Sequence, residues 1–293
     1  MNTIGKEHVS FVFDAAVPPA LSADSGETVC FQTQDCYAGQ IDADQKDFEL
    51  LDMKRNNPVT GPLFVNGAEP GDILKVEILD ILPDDHAVMC VRLNRGVYEV
   101  EGCHCRMFPI RDNRLCFDRG IEIPIRPMIG VIGTCPAEPC STRIPGEHGG
   151  NLDIKDLGIG SSIYLPVAVP GALLYIGDCH AIQGDGETAI CGAEISAAVT
   201  VRVSVLKGRT KLPTPFVETA DSVYTCGAAD SLDSAGVEAA RKMHGYLMEA
   251  AALSDAQAAM LLSLVGDLRI SQVVNPLKGC VMQFPRQYLE PRS

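Results

Sequence analysis

Two short segments of the 293-residue chain crowd chemically competent side chains among glycines. The first, PGEHGGNLDIKDL (145–157), offers His148, Asn151, Asp153, Lys155 and Asp156. Its paired Gly149 and Gly150 allow a sharp bend that leaves amide N–H groups open to an anion. The second, IGDCHAIQGDGETAICGAEI (176–195), offers Asp178, His180, Gln183, Asp185, Glu187 and Glu194. On an extended chain, residues two apart project to one face, so Asp178 and His180 can present a carboxylate and an imidazole to one divalent ion. Zn²⁺ accepts such nitrogen and oxygen donors, and a catalytic site keeps one position for water. The remaining donors would come from other elements, Asp153 or Glu194. A single D-x-H is common, and glycine-flanked acids such as Asp185 and Glu187 also make plain turns. The density of acids and histidine in two segments of an apolar chain is what points to a site.

Other candidates carry less. Cys103-His104-Cys105 would set two thiols on one strand face, but no second cysteine pair at zinc spacing follows, so half-buried thiols are the expectation. Ser141 precedes the His148 loop and keeps a serine nucleophile open, although no G-x-S-x-G elbow occurs. His8, His86 and His244 lack chemical neighbours in sequence and read as structural or solvated.

The elements that must position these residues are mostly strands. VTVRVSV (199–205) alternates strictly, and Leu74, Val76 and Ile78 share one face of 72–82. Further strands are expected near 8–14, 27–33, 87–93, 106–111, 161–169 and 172–176, separated by Pro-Gly turns at 70–71, 145–146 and 170–171. Helix formers then fill 234–251, and Ser254 with Gln257 makes a capping box for a second helix that stops at Gly266. The expected fold is therefore mainly β, with a β-rich core over 1–206 carrying the site loops and an α+β segment over 207–293, or one intertwined unit, since no Pro/Ser-rich linker marks the boundary.

Composition removes several function classes. With 46% hydrophobic and 21% charged residues the chain can build a core, so wholesale disorder is excluded. The net charge of −14, without any Lys/Arg run, disfavours nucleic acid and anionic membrane surfaces as partners. Trp is absent, which leaves few stacking platforms for bases. The most apolar stretch, 161–177, is broken by Pro166, Pro170 and Gly171 and falls short of a membrane helix. No signal peptide is read at the N-terminus, and the twelve scattered cysteines suit reduced, buried thiols, so a cytoplasmic protein is expected. Symmetric homo-oligomers are the default for such a chain.

The segments NPVTGPLFVNGAEPGD (57–72), PMIGVIG (127–133), PGEHGGNLDIKDL (145–157), GSSIYLPVAVPGALLYIGDCHAIQGDGE (160–187) and SLVGDLRISQVVNPLKG (263–279) resemble the acetamidase/formamidase family, in family order and over nearly the whole chain. The resemblance implies a β-sandwich-rich fold and hydrolysis of short amides such as formamide or acetamide. It also implies a divalent metal, zinc first and calcium as the alternative. The family's polar loop falls on His148, Gly149, Gly150, Asn151, Asp153 and Lys155, and its D-x-H-x-x-Q-G-D-G-E pattern on Asp178, His180, Gln183, Asp185, Gly186 and Glu187, with a further acid at Glu194. Glu147 stands where the family loop often has Pro. On this basis Asp153, Asp178 and His180 are the expected metal ligands. Glu194 or Glu187 is the expected base, with His148 and Asn151 as further catalytic candidates. Gly149, Gly150 and Gln183 are the expected substrate contacts, and the two glycine amides or Asn151 would face the oxyanion. Lys155 would instead serve in an ion pair with Asp156 or Asp153. A metal-free nucleophile acting on another small amide or lactam, and a non-catalytic calcium-binding module, are the alternatives.

Overall fold

The computed structural model describes residues 2–44, 48–208 and 212–289. Two large sheets face one another, one of nine strands and one of eleven among the described residues. Val29, Val76 and Val201 from the first and Leu63, Ile132 and Ile176 from the second join one buried cluster, so the main core is the sandwich filling. The molecule is mainly β, as the alternation in sequence demands.

Ala197–Leu206 shows how pattern becomes position. Val199, Val201 and Val203 are fully buried, and Arg202 points to solvent. This strand lies between Thr28–Thr33 and Ile73–Pro83, antiparallel to both. Ile73–Pro83 then pairs with Ser162–Pro166, and the sheet continues through Phe216–Glu218, Ser222–Ala229, Lys278–Pro285 and Asp267–Gln272. Residues beyond 207 thus extend a sheet begun near the N-terminus.

The second sheet holds the site. Its central strand, Leu174–His180, is buried at every residue. It is flanked by Met128–Thr134 on one side and by Val59–Val65 and Glu194–Ile195 on the other. Gly149–Asn151 pairs outside Met128–Thr134.

The helices α1 (Leu232–Ala250) and α2 (Asp255–Val265) follow the reading closely. Ser231 rather than a later residue caps α1, and the Ser254/Gln257 box opens α2 with Gly266 at its end. Ala235, Ala239, Met243 and Leu247 recur at four-residue spacing and pack with Phe284 and Met282 into a second core. The strand expected at 8–14 is split into Val9–Ser10 and Val12–Phe13, which pair with different partners.

Candidate active site

Backbone conformation, not simple alternation, aims Asp178 and His180. Asp178 sits within a strand yet has φ 52°, and the ladder to Met128–Thr134 skips it. Asp153 (φ 49°), Glu187 (φ 48°) and Asn57 (φ 55°) share this left-handed conformation, which is uncommon outside glycine and concentrates at functional sites. Strand alternation alone therefore does not account for how Asp178 and His180 come together. Asp178 Oδ1 does lie 3.7 Å from His180 Nε2, but through a twist in the strand. Glu194 is the direct cross-strand partner of His180, and its Oε1 lies 3.1 Å from the same Nε2.

The orientation of His180 follows from its other nitrogen. Gln183 Nε2 donates to the carbonyls of Asp153 (2.9 Å) and Ser271 (3.3 Å), so its Oε1 accepts from His180 Nδ1 at 2.7 Å. That assignment leaves Nε2 facing Asp178 and Glu194. Neither His180 Nε2 nor Glu194 Oε2 has a well-aligned hydrogen-bond partner, although both are buried. Asn151 fills the gap between the acids. In the orientation that satisfies its amide, the NH₂ donates to Asp178 Oδ2 (3.1 Å) and Asp153 Oδ2 (3.0 Å), while its oxygen accepts from Asn57 and Asn275. Asn275 Nδ2 also donates to Asp153 Oδ2 at 2.7 Å.

Four carboxylates, those of Asp153, Asp178, Glu187 and Glu194, are thus buried around one imidazole. Burial and the neighbouring Asp178 charge raise the Asp153 carboxyl to about 7. Burial, offset in part by His180, raises Glu194 to about 8. Burial and the charge on Asp153 push Glu187 well above the usual carboxylate range. Burial alone would lower His180, but the Glu194 and Asp178 carboxylates outweigh it and hold the imidazolium well above its ordinary value. Such a surplus of buried negative charge is stable only with shared protons or a cation. Ligand-capable atoms of Asp153, His180 and Glu187 lie within 4.8 Å of one another, and those of Cys36, Asp178 and Glu194 form a second such group. A histidine nitrogen with carboxylate oxygens, and a buried unpartnered atom on His180 and on Glu194, fits a divalent ion of the zinc type.

A cavity of about 350 Å³ opens onto these groups. Asp178, Glu187, Glu194 and Asn151 line it, and so do Cys36, Asn57, Ser141 and Asn275. Several expected residues lie elsewhere. His148 does not line the cavity; it is buried edge-on against Phe13 at 5.0 Å, where burial lowers it to about 4. Gly149 and Gly150 are also away from the cavity, and the Gly149 amide donates to the Gly146 carbonyl. Gln183 holds His180 instead of touching the cavity. Lys155 pairs with Asp185 at 3.0 Å, because Asp156 faces Arg126 and Arg269. Cys36, Asn57 and Asn275 were not singled out in the sequence, although Asn57-Pro58 and Asn275-Pro276 sit inside two of the family-like segments.

Fold and site together define a β-sandwich protein with a buried histidine–carboxylate centre beneath an open cavity. The chain belongs to the acetamidase/formamidase family, whose profile matches residues 6–108 and 136–288. An acetamidase structure from Bacillus halodurans superimposes with a TM-score of 0.96 at 42% identity, covering 98% of each chain. A Schizosaccharomyces pombe protein with a provisional formamidase name is 32% identical, over 65% of this chain and 62% of its own length. A formamidase from Methylophilus methylotrophus is 26% identical, over 67% of this chain and 63% of its own. The chain thus spans less than two thirds of these curated relatives. A gamma lactamase from Delftia acidovorans, at 21% identity and TM-score 0.66, shares the fold.

Proposed function

We propose that the chain hydrolyses the C–N bond of short amides to a carboxylate and ammonia, using a divalent cation, zinc before calcium. The observation that carries the reading is the convergence of His180 Nε2, Asp178 and Glu194 on one buried point at the cavity floor. Asp178, His180 and Asp153 would hold the cation, with the unpartnered Glu194 oxygen joining that set. When bound, it supplies Lewis-acid polarisation of the amide carbonyl and lowers the pKa of water from about 16 towards about 7. Glu187 lines the cavity, and burial with the charge on Asp153 holds its carboxyl well above the usual carboxylate range, so it suits donation of a proton to the departing amine. Asn57 and Asn275 line the cavity, but both hydrogens of each NH₂ are engaged, on Asp178 and the Asn151 oxygen for Asn57 and on Asp153 and the Asn151 oxygen for Asn275, so the two asparagines position the acids.

Within the same reading the protein is cytoplasmic and a homo-oligomer. Twelve free thiols fit a reducing compartment. Met260, Leu264, Leu268 and Ile270 are exposed along α2 and the open edge strand Asp267–Gln272, a surface a second copy can cover. Solution mass against the 31.4 kDa chain tests that point. No helix among the described residues is long and apolar enough to cross a membrane.

The test is ammonia release from formamide and acetamide by purified protein of known metal content, before and after chelation. Release lost on chelation and restored by Zn²⁺ is the expected result. Chelator-resistant release would replace the cation with a nucleophile, Ser141 or Cys36. Metal-dependent melting without turnover would leave a calcium-binding module.

A further inference from the structure

We propose that the cavity takes amides bearing a carboxylate at the end remote from the amide, such as the half-amides of short dicarboxylic acids. This inference rests on the amidase reading above. The cavity is electrically polar along its depth. Its floor carries Asp178, Glu187 and Glu194, all buried, and the other charged lining residues are Arg92, Arg95 and Arg143. In a chain with 24 Lys and Arg against 38 Asp and Glu, three arginines and, among the described residues, no further acid lining one opening run against composition. Among the described residues none of the three has a carboxylate partner.

The arginines are held from separate directions. Arg92 closes the His86–Arg92 strand, and its guanidinium lies 4.0 Å from the Phe48 ring centre. Arg95 is on a loop pinned to the Glu187 segment, where Val97 N donates to Thr188 O at 2.9 Å and Tyr98 meets Thr188 Oγ1 at 3.1 Å. Arg143 follows Thr142, whose hydroxyl donates to Asn57 O at 2.7 Å. A guanidinium left without a carboxylate partner presents a planar fork matched to a carboxylate.

Size agrees. At roughly 30 Å³ per water-sized group, a volume of about 350 Å³ holds on the order of ten non-hydrogen atoms, several more than formamide or acetamide fill. Phe48, Met53, Ile144 and Ile190 lie along the walls, apolar surface suited to a methylene spacer. Acids and arginines line the same cavity, so an amide held at the acids leaves the other end of a short chain to the arginines. Local positive charge at the mouth also offsets the repulsion an anion meets from a chain of net charge −14.

The experiment compares kcat/KM of the metal-loaded protein for succinamate and glutaramate with that for butyramide and pentanamide, at low and high salt. Carboxylated substrates should be preferred at least tenfold, the preference should shrink with salt, and succinate should inhibit competitively. In Arg92→Ala and in the exposed Arg143→Ala the ratio of charged to uncharged kcat/KM should fall at least tenfold, with the loss in KM. Arg143→Ala keeps the test alive if the half-buried Arg92 variant misfolds. Equal or faster cleavage of the uncharged amides, with a ratio unmoved by salt or substitution, overturns the inference and leaves the amidase reading standing. Ammonia from none of these amides, nor from formamide or acetamide, removes both.

Discussion

His180 illustrates how one side chain carries information from several others. Its Nδ1 is tied to Gln183, which is tied in turn to the carbonyls of Asp153 and Ser271. Gln183→Leu removes the acceptor that fixes the ring while keeping similar volume. Outer partners of a liganding histidine typically contribute 10–100-fold in metal affinity. We expect Zn²⁺ binding to the variant to weaken by roughly that factor, read by competition with a chelating dye. Unchanged affinity would mean the ring is held by packing alone. The acids make a prediction of opposite character. In the unfolded chain Asp153 and Glu194 release protons near 3.8 and 4.5, but in the fold they hold them to about 7 and about 8. Between those limits the folded state binds more protons, so the metal-free protein loses stability as pH rises through this window. The raised His180 has the same sign. His148, lowered from 6.5 to about 4, has the other: the unfolded chain takes up its proton first, so acid costs stability there. Glu187, raised by burial and the Asp153 charge, joins the first set, so four groups oppose one. Chelated protein should therefore melt lower at pH 8.5 than at pH 5.5, and bound Zn²⁺ should narrow or invert the gap because its ligands must be deprotonated. A higher melting temperature at pH 8.5 after chelation would exclude shared protons in the buried cluster.

At the level of elements, the Met128–Thr134 strand supports the site by what it lacks. A Cβ built on Gly130 would stand 2.6 Å from Asp178 O and 2.7 Å from both Asp153 Oδ1 and Asp178 Oδ2. Gly130→Ala must therefore push the two carboxylates apart, a strain of about 1–3 kcal/mol by analogy with overpacked cores. We expect a folded protein with a lowered melting temperature and at least tenfold weaker metal binding; wild-type affinity would show that the acids can shift freely. The same strand shows where sequence reading fails. Met128–Thr134, Leu174–His180 and most of Ser222–Ala229 are buried on both faces, so they have no alternation to detect. The half-exposed Ala197–Leu206 was legible for the opposite reason. So were the helices, where the Ser254/Gln257 box fixes a start within one residue. Site residues divide in the same way. Asp153, Asp178, His180, Glu187 and Glu194 were visible because charged types cluster in two segments. Cys36, Asn57 and Asn275 reach the cavity from three distant stretches, and an isolated cysteine or asparagine carries no local signal.

For the whole molecule, the question is whether 207–293 behaves as a unit apart from 1–206. Three observations bear on it. Phe216–Glu218 pairs with Ser162–Pro166, so one sheet crosses the boundary. Val217, Tyr224, Cys226 and Val281 contribute to the main core, while Tyr164 packs on the helical core. Asn275, from the later segment, donates to Asp153 in the earlier one. Cutting between them would open a sheet, divide two cores and remove a partner from a buried acid. We therefore propose a single cooperative unit despite the change from strands to helices. The chain has no Trp, which makes tyrosine a clean probe on both sides: Tyr37 and Tyr175 in the earlier segment, Tyr224 and Tyr246 in the later. Urea unfolding followed by tyrosine fluorescence and by far-ultraviolet circular dichroism should give one coincident transition at fixed metal content. A helix-weighted signal melting before the strand-weighted one would instead mark the C-terminal segment as separately stable. Loss of activity at the first of two such transitions would then place Asn275, rather than the buried acids, at the weak point of the site.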